Sequence, residues 1–251
     1  MYPVLELSER LFRLFRSCSP FTFGVRGRRV NNHMKKTVAK IGFWSAILAF
    51  IGAVGYVLSV PLQTFKLVSP LQDSVIAFGF SIIIATPFLL SMVALHYTVP
   101  EEQKFWTNAA VVLAVIYATY CTLNYAVQLA TVIPAGYSWT FENQQGTVGP
   151  LSLLNQTPHS LFWDIDALGY IFLSLSTLFA FPVFGKHGLE KWIRLFFIAN
   201  GLDIPLSAFV YFYPGFSVNQ LLWGLPWGIL VPGCLLLLAL FFRQRLTLMD
   251  T

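Results

Sequence analysis

Residues 34–66 read MKKTVAKIGFWSAILAFIGAVGYVLSVPLQTFK. Lysines stand at both ends, and no charged residue lies between Lys40 and Lys66. A helix rises about 1.5 Å per residue, so about 20 apolar residues cross the roughly 30 Å hydrocarbon core of a bilayer. The stretch 40–61 meets that length and is predicted to be a membrane span.

Five more runs of the same kind follow, at about 74–97, 105–133, 161–184, 191–213 and 219–242. They are continuous apolar runs, whereas a membrane β-barrel alternates over segments of about ten residues. Composition agrees. Of 251 residues, 56% are hydrophobic and only 11% charged, against roughly 25% charged in soluble domains. The expected fold is all-α, a polytopic bundle of six transmembrane helices over 40–242. A basic segment, 1–39, precedes it, a short tail, 243–251, follows it, and a long loop, 134–160, joins the third and fourth spans.

Charge orients the bundle. Of the 16 Lys and Arg residues, only Lys66 falls in a segment assigned to the outer side. The others lie before the first span, after the second (Lys104), after the fourth (Lys186, Lys191, Arg194) and in the tail (Arg243, Arg245). Cytoplasmic loops carry the excess of Lys and Arg, so both termini are expected in the cytoplasm. Trp44, Trp106 and Trp192 near inner ends, and Trp163, Trp223 and Trp227 near outer ends, fit an aromatic belt at the headgroups. The net charge of +5 then needs no nucleic acid partner; anionic lipid accounts for it. The bilayer is the one partner the sequence implies directly, and it specifies no protein partner.

The first 33 residues admit two readings. Apolar residues between Val4 and Phe15, interleaved with Arg10, Arg13 and Arg16, could form a basic amphipathic helix on the inner leaflet. Alternatively, Met34-Lys35-Lys36 ahead of an apolar run is the natural start, and what precedes it is a mis-assigned start or a tail. The first span is too long for a secretory signal and lacks a small-residue cleavage site.

Polar residues inside the spans carry the only hints of function. Tyr117, Cys121, Asn124 and Gln128 in the third span follow one another at steps of four, three and four, which places them on one helical face. Asp166, Tyr170, Ser174 and Thr177 do the same in the fourth, and Asn200, Asp203 and Ser207 in the fifth. Turned toward one another, these stripes would meet in the outer half of the bilayer. The candidate ligand-binding residues are therefore Asp203, Asp166, Asn124, Gln128, Tyr117, Tyr170, Asn200 and Ser207.

Asp203 is the foremost candidate, because an Asp at a helix centre costs about 2.5–3.5 kcal/mol on insertion scales and no basic residue lies at its depth. It would serve as a proton or cation site or a ligand anchor; the structural alternative is a hydrogen bond to Asn124 or Tyr170 that holds the bundle together. Asp166 shares the polar stripe, whereas Asp164 points elsewhere and suits the headgroup region. Asn200-Gly201 and Pro205 flank Asp203, Pro87 interrupts the second span, and Pro226, Gly228, Pro232 and Gly233 interrupt the sixth. Such breaks free carbonyls that bind ions in transporters, but they are also common in ordinary membrane helices.

Enzyme signatures are weak. His33, His96, His159 and His187 show no metal-ligand spacing, no Gly-rich phosphate loop or nucleophile elbow is present, and Cys18, Cys121 and Cys234 form no paired motif. No cofactor and no metal are expected. Asn155-Gln156-Thr157 is a glycosylation sequon, relevant only in a eukaryotic secretory pathway.

The stretch DALGYIFLSLSTLFAFPVF (166–184), the following IANG (198–201) and NYAVQ (124–128) resemble a recurring type of bacterial six-helix, multi-pass inner-membrane protein, over about residues 34–245. The resemblance implies architecture and a bacterial inner membrane, and no catalytic residue. The leading expectation is a small-molecule or ion (proton or cation) binding or transport protein with an outward-facing polar cavity between the third, fourth and fifth helices. The alternatives are a non-catalytic accessory or sensory subunit and, third, a membrane enzyme acting on lipid or quinone.

Overall fold

The computed structural model describes residues 26–136, 153–215 and 217–250. The amphipathic segment read at Val4–Phe15 and most of the loop 134–160, with Trp139, lie outside the described residues. The chain falls into two compact units, Met1–Met34 and Lys35–Thr251. Of the first, only the start of one helix is described; the rest of the description concerns the second.

Among the described residues, seven helices carry the fold: α1 (Arg26–Thr64), α2 (Pro70–Thr98), α3 (Lys104–Val127), α4 (Leu161–Ala180), α5 (Gly188–Leu202), α6 (Ile204–Phe212) and α7 (Trp227–Asp250). The described residues contain no strand. Among the described residues, six helical stretches are long and apolar enough to cross a membrane, with α5 and α6 together making the fifth. The chain is an all-α, multi-pass membrane protein.

Local chemistry sets the helix ends. Ser69 caps α2 by a reciprocal box: Gln72 N donates to Ser69 Oγ (3.3 Å) and Ser69 N donates to Gln72 Oε1 (3.0 Å), with Pro70 following at the first helical position. This cap starts the second span at Pro70 and draws Asp73, expected in the loop, into the helix's first turn. Ser160 caps α4 by accepting from Trp163 N at 3.1 Å. The breakers act unequally. Pro87 and Pro232 sit inside continuous helices. Pro205 falls in the first turn of α6, so the fifth span is divided at Asp203. Proline has no N–H to return to the carbonyl four residues earlier, which is why the ladder stops there.

Packing rests on small residues. Ala46, Ala49 and Ala53 on α1 and Ala110, Ala114 and Ala118 on α3 are buried at helical spacing. Lipid supplies no hydrophobic drive between membrane helices, so small side chains that let backbones approach do most of the work. Gly52 and Gly55 serve the same end: a Cβ at Gly55 would lie 2.3 Å from the Phe80 ring. Large side chains such as Trp44, Ile51, Leu58, Phe105 and Ile229 point outward and are exposed, as a surface facing lipid requires. Trp163 and Trp227 depart from the belt pattern. Both are buried and turn into the bundle, Trp163 Nε1 donating to Tyr211 O at 3.1 Å.

Candidate functional site

The helix ends that meet at the α1–α2 turn enclose a cavity of about 230 Å³. Small residues make the room: Ser74, Ala77 and Ser81 line it from one face of α2, and Gly224 and Gly228 from the segment entering α7. Rings make the walls. Trp227 stands edge-on to both Tyr56 (5.4 Å between centroids) and Tyr170 (5.0 Å), and Tyr211 lies 4.7 Å from Trp163. Two carboxylates, Asp73 and Asp166, face the space, and no Lys, Arg or His is among the described residues that line it.

The two carboxylates differ sharply. Asp166 (1% exposed) accepts four hydrogen bonds. Oδ1 takes Tyr125 OH at 2.7 Å and Asn124 Nδ2 at 3.0 Å; Oδ2 takes Gln156 Nε2 and Tyr211 OH, both at 2.8 Å. Four donors fill the acceptor sites of a carboxylate. Tyr125 OH lies 2.6 Å from Tyr170 OH. Because Tyr125 gives its proton to Asp166, Tyr170 donates to Tyr125, and the Tyr170 oxygen keeps acceptor capacity. Asp73 (5% exposed), by contrast, has no hydrogen-bond or ion partner for its carboxylate among the described residues. Two polar atoms of lining residues, Ser81 Oγ and Trp227 Nε1, also have no partner among the described residues, but both are shielded from the open space by their neighbours.

The network behind Asp166 is held by the end of the third span. Asn124 also donates to Gln156 Oε1 at 2.9 Å. Gln128 Nε2 donates to Leu154 O at 2.6 Å, and Gln156 N donates to Gln128 Oε1 at 3.2 Å. One glutamine thus pins a stretch of loop backbone on both sides, which delivers Gln156 to Asp166. Gln128 opens a π-helical turn, Gln128–Val132, in which Ile133 N reaches back to Gln128 O at 2.9 Å. Replacing Gln128 by Leu leaves a part-buried carbonyl and N–H without their partner, at about 1 kcal/mol each, the low end for groups not fully shielded from water. Gln128→Leu is therefore expected to lower the thermal midpoint and to speed amide exchange over 153–160 more than elsewhere; unchanged exchange there would remove Gln128 from this role.

The eight residues expected to share a site separate into groups. Asp166, Tyr170 and Ser207 line the cavity. Asn124 and Gln128 stand behind Asp166. Tyr117 is packed edge-on against Phe88 at 5.4 Å, outside the cavity lining. Asn200 lies deeper along α4, where Nδ2 donates to Thr177 Oγ1 at 2.9 Å and Ser174 Oγ at 3.4 Å. Asp203 takes a 3.3 Å hydrogen bond from Ser207; its Oδ1 and Asn200 Oδ1 have no partner among the described residues. Neither Asn200 nor Asp203 lines the cavity.

Cavity residues that escaped the sequence reading include Tyr56, Asp73, Tyr125, Gln156, Tyr211 and Trp227. Tyr211 had a readable signal, since it continues the Asn200–Asp203–Ser207 stripe by one further step of four. Gln156 had only the sequon, and Asn155 is buried, so it offers no free amide to a glycosylating enzyme in the folded chain. Among the described residues, no three His, Cys, Asp or Glu side chains gather as a metal-ligand set. Comparison with protein-family models, curated proteins and solved structures gives no match for this chain.

Proposed function

We propose that this integral membrane protein binds a small molecule or ion in the cavity at the Asp73–Asp166 end of its bundle. The observation that carries this reading is a space bordered by two buried carboxylates with no basic residue among the described lining residues. A bundle that only cemented its helices would gain nothing from an unpartnered Asp73, because burying a charge without a partner costs several kcal/mol. Positive-inside charge supports placing this end on the outer side, and the bacterial resemblance supports the inner membrane. The break at Asp203, with its unpartnered buried oxygen, favours carriage across the membrane as the use of this binding. The fully bonded Asp166 suits the structural alternative, and its role here is to hold the wall.

The test is the thermal midpoint of purified protein in detergent against a panel of metabolites and ions, with the compounds that act re-tested for uptake into proteoliposomes. A ligand at about 100 times its Kd stabilises by about 2.7 kcal/mol, a shift of several degrees. Ala77→Phe, which puts a ring into the cavity, is expected to abolish the shift while leaving the midpoint of the free protein nearly unchanged. A panel that shifts nothing, or shifts wild type and Ala77→Phe alike, rejects the cavity as a binding site.

A further inference from the structure

One carboxylate on the cavity wall, Asp73, has no partner among the described residues, and it calls for a positive charge. The rings of Tyr56, Tyr170, Tyr211 and Phe78 line the same space. An aromatic face attracts a cation within about 6 Å of its centre, more strongly where water is excluded. First-turn placement in α2 favours an acid at Asp73, but an exposed acid serves that purpose equally well, and Asp73 is only 5% exposed.

We infer that the cavity recognises a small organic ammonium compound. Asp73 neutralises the ammonium and the rings enclose its alkyl groups. An anion is refused by two carboxylates. A neutral molecule leaves Asp73 unpaired. A bare metal ion is too small for the space, and most of the wall is ring and hydrocarbon where an ion requires a close shell of oxygens. Size is consistent: a water occupies about 30 Å³ of liquid, so about 230 Å³ suits a ligand on the order of seven to ten non-hydrogen atoms. The inference rests on the cavity being a binding site and adds what it binds.

Choline, tetramethylammonium, ethanolamine, sodium and 3,3-dimethylbutan-1-ol test it on the full chain in detergent, by thermal shift and calorimetric titration. The last compound replaces the choline nitrogen by carbon and so removes the charge at constant shape. The expected result is binding of choline and of tetramethylammonium each at least tenfold tighter than of the neutral isostere. Asp73→Asn is expected to lose at least tenfold in choline affinity while the free protein stays as stable as wild type, since that carboxylate accepts no hydrogen bond to lose. Equal binding of choline and its isostere overturns the ammonium assignment and leaves the binding reading intact, as does unchanged choline affinity in a folded Asp73→Asn protein. If Asp73→Asn does not fold, the isostere comparison on wild type decides alone. Binding of neither these compounds nor any member of the broader panel removes both readings.

Discussion

Asp166→Ala is expected to destabilise the protein by about 2–6 kcal/mol, an estimate built from the cost of buried donors left without acceptors, roughly 1–3 kcal/mol each. Two of the four donors have somewhere else to turn. Asn124 keeps Gln156 Oε1, and the Tyr125 proton can swing to the Tyr170 oxygen only 2.6 Å away, which turns the displaced Tyr170 proton into the cavity that Tyr170 lines. Gln156 Nε2 and Tyr211 OH have no second acceptor in the described network, so they set the lower bound. Asp166→Asn is expected to cost about half as much. Its amide offers one accepting oxygen and an NH₂ that must face two former donors; a tyrosine hydroxyl can reverse to accept, but a glutamine NH₂ cannot. Thermal or denaturant unfolding in a fixed detergent measures both. The informative contrast is with Asp73→Asn, the same change of charge on the opposite side of one cavity, expected to leave stability intact. If the Asp166 variants unfold no more readily than the Asp73 variant, the four-donor network does not support the bundle.

That contrast also marks how far the sequence could be read. Length, hydrophobicity and the placement of Lys and Arg depend on local composition alone, and so the six spans are legible residue by residue. Polar stripes are legible for the same reason: Asn124 and Gln128, or Asp166 and Tyr170, stand out at steps of four on an apolar helix. What periodicity does not give is the level at which stripes meet. α4 presents two levels, Asp166 with Tyr170 and then Ser174 with Thr177, about 12 Å apart for eight residues at about 1.5 Å each. Asn200 joins the second level and the cavity forms at the first, so one expected site becomes two polar groups. Asp73 stayed hidden because an acid beside a loop usually points into water. The Ser69–Gln72 cap places it in the first turn of α2, and packing against the rest of the bundle buries it. Gln156 was out of reach, since only the tertiary clamp from Gln128 gives a loop glutamine a buried partner.

Glycine provides the sharpest test of how the helices are held together. A Cβ built at Gly201 would sit 2.7 Å from Leu178 Cδ1 and 2.8 Å from Leu178 Cβ. The second contact lies next to the α4 backbone, so a rotamer change cannot relieve it, and α5 must move away from α4. Overpacking of this kind costs roughly 1–3 kcal/mol, which is the expectation for Gly201→Ala. Gly201→Leu is expected to exceed that and to yield no stable monodisperse protein, because displacing α5 also breaks the neighbouring Asn200–Thr177 hydrogen bond. Gly79, also within a long helix, is the control, since a Cβ there meets nothing within 4 Å. Gly79→Ala is expected to stabilise by about 0.5–1 kcal/mol through helix propensity. Midpoints moving in opposite directions for the two alanine variants would show that close approach of backbones, and not helix propensity, governs this bundle. Midpoints that fall together would mean glycine flexibility is what both positions supply, and the small-residue account of the α4–α5 contact would have to be abandoned.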